Sequence, residues 1–130
     1  LAFGVELPLV RVAVVVADLL EPLRGPFDLV VSNPPYIPEY AYDDLPPGVR
    51  DYEPREALRA PGDGTALHRR LVAGAASVLR SEGWLMMEIG DGQAEGVLEA
   101  FRTDGRYDRI GVRNDYGGRP RVVKARKREN

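Results

Sequence analysis

The residues with the most evident chemistry are Asn33-Pro34-Pro35-Tyr36. An amide or aryl NH2 group is a poor nucleophile, because its lone pair is delocalised into the adjacent π system. Two fixed acceptors, Asn33 Oδ1 and the Pro34 main-chain carbonyl, suit the two hydrogens of such a group. They hold its nitrogen toward an incoming electrophile and stabilise the positive charge that develops there, which is positioning and electrostatic preorganisation rather than general-base catalysis. Pro34 and Pro35 have fixed φ and no N–H, so the carbonyls around them are held in place instead of being tied into a helix. Tyr36 adds a flat aromatic face. The corner reads as a socket for a planar group bearing NH2, either a primary amide or the exocyclic amine of a base. Neither thiol nor imidazole is needed, and the chain has no Cys and one His. The plainer alternative is a strand-ending turn, since Asn and Pro are ordinary turn residues; a strand before the corner and a proline-bearing loop after it favour the socket.

Several elements must position that corner. Residues 10–17, β-branched and nearly all apolar, read as a strand covered on both faces, and residues 27–32 as a second, parallel strand that runs into Asn33. In open α/β sheets ligands sit at the C-terminal ends of such strands. Residues 37–63 contain seven prolines and glycines and many acids, so they read as a long functional loop facing the substrate. Residues 64–80 have apolar side chains at helical spacing on Leu67, Leu71, Val72, Ala75, Val78 and Leu79. Gly83 to Gly90 reads as a buried strand, and Gln93 to Arg102 as a helix with Ala94, Val97, Leu98 and Phe101 inward. Strands at 107–112 and 121–125, separated by a Gly-rich turn, predict an antiparallel hairpin. The expected fold is α/β, mostly parallel, with a C-terminal antiparallel hairpin, and residues 1–130 form one domain or part of one.

Composition agrees with a globular chain: 44% of the 130 residues are hydrophobic and 29% charged, and the net charge is −2. The charge is unevenly placed. Residues 1–101 carry 8 basic and 16 acidic side chains, a balance of −8, whereas residues 102–130 carry 10 and 4, a balance of +6. The basic end, with Lys124, Arg126, Lys127 and Arg128, is either a contact for RNA and ribosomal surfaces or a solvated, frayed terminus. The lack of Cys and of a signal-peptide pattern fits a reducing, cytoplasmic compartment, and no apolar run is long enough for a membrane span. A lone histidine without cysteine makes a metal site improbable; His68 reads as a partly exposed helix residue. Trp84, Met86 and Met87 read as core, and Glu88 as a solvated strand-end carboxylate that lies close enough to approach the corner.

Four stretches carry a resemblance to a known family: 28–38 around the Asn-Pro-Pro-Tyr corner, 49–58 around Tyr52-Glu53-Pro54, 83–90, and 115–123 around Tyr116-Gly117-Gly118-Arg119-Pro120. Together they resemble the C-terminal part of class I S-adenosylmethionine-dependent methyltransferases. More narrowly, they resemble the HemK-type enzymes that methylate a glutamine amide in peptide-chain release factors. The corner alone is shared with adenine-amino methyltransferases of DNA and RNA; the stretch 49–58 is more particular to the glutamine enzymes. The resemblance implies S-adenosylmethionine as cofactor and a release factor as protein partner. It implies that Asn33 and Pro34 accept the amide hydrogens, that Tyr36, with Pro35, shapes the substrate pocket, and that Asp18, Leu19 and Asn33 lie near the cofactor. Glu53 and Arg55 would belong to the loop that faces the substrate. The ordinary alternatives are a loop cap for Asp18 and a surface ion pair for Glu53 and Arg55.

The chain departs from that family in lacking the glycine-rich loop after the first strand, the acidic residue after the second, and an N-terminal helical domain; Gly90-Asp91-Gly92 follows a later strand and is no substitute. It begins with Leu1, so the expectation is a fragment with little cofactor affinity of its own, and with residues 1–20 displaced, mobile or paired with another chain. Strands left without their partners expose edges that invite self-association. The competing functions are an adenine-amino methyltransferase that uses the basic tail on nucleic acid, and a non-catalytic binding remnant. The acidic loop 37–63 disfavours a polyanion lying across it.

Overall fold

A computed structural model describes residues 11–38, 59–60 and 63–129. Eight elements follow in order: β1 (Phe27–Ser32), β2 (Ile37–Pro38), β3 (Arg59–Ala60), α1 (Ala66–Val78), β4 (Leu79–Glu88), α2 (Ala94–Asp104), β5 (Tyr107–Asn114) and β6 (Pro120–Lys127). The main sheet has the order β1-β4-β6-β5, with β1 and β4 parallel and the other two pairings antiparallel. The two short strands pair with each other in parallel at the ends of the proline-rich loop. No described helix is long and apolar enough to cross a membrane.

The strand expected at 10–17 is the main correction. Residues 11–17 belong to no strand, and Val14 and Val16 are 92% and 100% exposed. A valine-rich segment has the propensity for a strand, but a strand forms only where a neighbour accepts its backbone hydrogen bonds. Among the described residues no neighbour does so, and the parallel part of the sheet is accordingly reduced to β1 and β4. Leu29 and Val31 of β1 are likewise exposed.

Helix α1 starts where the Asp63 carboxylate accepts hydrogen bonds from the Thr65 amide (2.9 Å) and hydroxyl (2.6 Å). It stops two residues short of the expected end, because Leu79 turns extended, pairs with Phe27 and is buried. Helix α2 ends at Gly105, whose φ of +78° supplies the left-handed cap that other residues adopt reluctantly. Both helices cover one face of the sheet. Leu71, Val72, Ala75, Val97 and Phe101 meet Leu85, Met87, Ile89 and Val123 there, and Phe101 sits edge-on to Tyr107 at 4.9 Å.

Alternation along β4 divides its side chains between the two faces. Leu85 and Met87 are fully buried under the helices, whereas Trp84 and Met86, expected in the core, lie half-buried on the opposite face, with the Lys124 ammonium 5.5 Å from the Trp84 ring. His68 corrects another expectation: it is fully buried, and its Nε2 lies 2.8 Å from the Glu88 carbonyl. The basic C-terminal residues are held by internal partners instead of fraying. Arg126 pairs with Asp108 (2.9 Å) and Glu82 (3.2 Å), Lys127 Nζ donates to the Leu79 carbonyl, and Arg128 Nε donates to the Gly105 carbonyl.

Candidate active site

Strand β1 delivers the corner at its C-terminal end, beside the end of β4, with Ser32 in register with Met87. The corner has an inner and an outer side. Asn33 is exposed, Pro34 buried, and Pro35 and Tyr36 half-buried. Among the described residues the Asn33 side chain has no hydrogen-bond partner, so its carboxamide faces outward from a backbone anchored beneath it.

Tyr36 is the anchor. Its hydroxyl donates to Glu88 Oε1 at 2.8 Å, and its carbonyl accepts from Gln93 Nε2 at 2.6 Å. Its ring lies against Gly90 so closely that a Cβ built there would be 2.8 Å from Tyr36 Cδ2. Gly64, at φ +88°, passes behind the Tyr36 carbonyl, and a Cβ there would meet that oxygen at 2.2 Å. Close approach alone requires glycine at 90, whereas at 64 both the close approach and the left-handed φ require it. Burial pushes the Tyr36 phenol above its ordinary value and the bond to Glu88 adds to this, while Arg121 nearby opposes it. The phenol therefore stays protonated and is a donor to Glu88. The Arg121 guanidinium is in turn held above its usual range, chiefly by its bond to Asp115 at 3.3 Å. Glu88, expected to be solvated at the strand end, thus has a defined partner in the corner.

Behind this layer His68 occupies the first turns of α1. Burial pushes its imidazole below the ordinary value, and the carbonyls of Glu88 and Gly64 and the Asp63 charge counter only part of that. A neutral ring donating from Nε2 leaves Nδ1 without a hydrogen bond. The buried imidazole packs the end of β4 against α1 and takes no part in the exposed corner.

The other expected residues are placed differently. Asp18 and Leu19 lie in a turn over residues 18–22; the Asp18 carboxylate pairs with Arg70 at 2.9 Å, and Leu19 packs against the core. No hydrogen bond or ion pair among the described residues joins them to residues 33–36. The same turn and α1 border a cavity of about 790 Å³ lined by Leu20, Leu23, Arg24, Arg70, Gly74 and Ser77. Glu53 and Arg55 lie outside the described residues, as does most of the loop 37–63. Among the described residues no cluster of three His, Cys, Asp or Glu side chains could hold a metal ion.

Gln93, Gly64 and Arg121 are site neighbours that the sequence reading passed over. Gln93 had one available signal: a polar residue directly before an amphipathic helix and after Gly-Asp-Gly has backbone groups within its reach. Its burial, at 6% exposed, required the fold.

No protein-family model matches the chain. Against individual proteins it is 46% identical over 117 residues to the release factor glutamine methyltransferase of Geobacter sulfurreducens, covering 89% of this chain and 41% of that protein. It is 44% identical over 124 residues to that of Mycolicibacterium smegmatis, covering 95% of this chain and 43% of that protein. A methyltransferase structure from Pyrococcus furiosus aligns with a TM-score of 0.56 at 16% identity, covering 82% of this chain and 44% of that one. The chain therefore resembles the release factor glutamine methyltransferases across most of its length, as the four sequence stretches implied, and spans about two-fifths of theirs. Its four-stranded sheet and two helices are an α/β fragment of the class I methyltransferase fold.

Proposed function

We propose that this chain, given its similarity to the release factor glutamine methyltransferases, is the C-terminal portion of one methyltransferase catalytic domain. The parent enzyme transfers a methyl group to the side-chain amide nitrogen of a glutamine in a peptide-chain release factor. The observation that carries this reading is the two-sided corner: an outward Asn33 on a backbone clamped from behind through Tyr36. A free carboxamide on a rigid mount is what an NH2 group with a delocalised lone pair requires.

The residues fit S-adenosylmethionine in part. Asn33 is available at the strand end where such ligands lie, whereas Asp18 is paired with Arg70 and Leu19 is packed against the core. Asn33, Asp18 and Leu19 are the residues that would hold the cofactor, and the group supplies an electrophilic sulfonium methyl when bound. Asn33 Oδ1 and the Pro34 carbonyl accept the two amide hydrogens of the substrate and set the direction of its nitrogen. Pro35 and the Tyr36 ring limit the pocket to a flat group, and Glu53 and Arg55 would meet the protein substrate.

The test offers the full-length protein labelled cofactor with a release factor and an adenine-containing nucleic acid side by side. Label on the release factor alone is expected; label only on nucleic acid overturns the reading. Asn33→Ala should abolish transfer to the release factor. If that variant keeps most of its turnover, the role given to Asn33 is wrong.

A further inference from the structure

We infer that Gln93 is a positioning residue for the Asn33–Tyr36 corner, its carboxamide fastening that corner to the start of α2. The inference rests on the proposed amide methylation and adds to it a residue that never touches substrate. Three backbone groups from three places in the chain converge on the one carboxamide. Nε2 donates to the Tyr36 carbonyl at 2.6 Å and to the Asp63 carbonyl at 3.0 Å, and Oε1 accepts from the Gly90 amide at 2.8 Å. Every hydrogen-bonding position facing these groups is used, as a buried amide demands.

The joint is tight as well as satisfied. A Cβ at Gly64 would lie 2.4 Å from Nε2, and one at Gly90 would lie 3.2 Å from Oε1. The Gln93 side chain therefore has no slack in which to shift, and Tyr36 is fixed at both ends: its carbonyl by Gln93, its hydroxyl by Glu88. Tyr36 follows Pro34 by two residues, and the one residue between them, Pro35, is stiff. A displaced Tyr36 carbonyl thus carries the Pro34 carbonyl and Asn33 with it. Gln93 acts on the reaction through geometry, and errors of about 1 Å in such geometry reduce rates by about 100-fold.

Two variants separate this role from simple support of the helix start. An ionised glutamate at 93 keeps an oxygen for the Gly90 amide and donates to neither carbonyl, whereas a protonated one still donates to one of them. Assayed at alkaline pH, where the carboxylate is ionised, Gln93→Glu therefore preserves the Gly90 contact and breaks the Tyr36 contact; Gln93→Ala breaks both. In the full-length protein with a release factor, both variants should lower kcat at least about 10-fold with the dissociation constant of S-adenosylmethionine changed less than about two-fold. Wild-type kcat in Gln93→Glu would overturn the inference, because acceptance from Gly90 alone would then suffice. A parallel loss of cofactor affinity and melting temperature in both variants would also overturn it, as plain structural support. If the wild type transfers nothing to a release factor, the proposed function fails separately. The joint is then read from the Gln93 side-chain NH2 signals by NMR: slow hydrogen exchange upholds it, and exchange at the rate of an exposed amide removes it.

Discussion

Replacing Gly90 by alanine tests whether the Tyr36 ring lies where the corner needs it. The new Cβ would be 2.8 Å from Tyr36 Cδ2 and 3.2 Å from Cε2. Ordinary carbon contacts begin near 3.5 Å, so the ring must retreat by about 0.7 Å. Gly90 has no left-handed φ, so alanine meets no backbone strain there, and the whole effect is steric. Overpacking of this kind costs about 1–3 kcal/mol, which for a domain of this size lowers the melting temperature by about 4 °C per kcal/mol. Gly92 is the matched control. It has φ +76° with open space where its Cβ would be, so Gly92→Ala costs about 1–2 kcal/mol through backbone strain alone. The two variants should therefore melt at similar temperatures below the wild type. Only Gly90→Ala should lose methyl transfer, by about 10- to 100-fold, since it alone moves Tyr36. Thermal denaturation followed by circular dichroism and a transfer assay on the full-length protein supply both numbers. Unchanged melting and turnover in Gly90→Ala would refute the placement of the ring. Equal losses of turnover in both variants would refute the link between Tyr36 and the reaction.

Two more expectations concern stability and association. Burial holds the His68 pKa below its ordinary 6.5, so the unfolded chain takes up a proton that the folded chain resists. As pH falls from 6.5 toward the lower folded value, stability should decline. His68→Gln should flatten the melting temperature over that window, leaving the loss at lower pH to Asp63, Asp104 and other carboxylates held below 3.8; a slope unchanged by the substitution would show that another group is responsible. The exposed Val12, Val14 and Val16 and the outer edge of β1 should drive self-association of the 130-residue chain. Sedimentation across a concentration series should give a smaller weight-average mass for Val14→Lys/Val16→Lys than for the unchanged chain, and identical profiles would remove the edge as the cause.

Much of this protein is local chemistry and was legible as such. Proline fixes φ whatever surrounds it, so a stiff corner after Ser32 follows from Asn33-Pro34-Pro35 alone. Strand β1 spans the expected residues 27–32, the hairpin of β5 and β6 is present, and the inward Val97 and Phe101 of α2 follow from helical spacing. Pairing and burial depend on what lies across the gap, and these only the folded chain decided. Residues 11–17 have strand composition yet find no partner among the described residues, while Arg80 to Glu82, expected to close a helix, are drawn into β4. Trp84 and Met87 look equally apolar in sequence, but the pleat sends one out and the other in. The clamp on Tyr36 is the clearest case. Glu88, Gly90 and Gln93 are more than fifty residues away along the chain, and only the parallel pairing of β1 with β4 brings them within bonding distance.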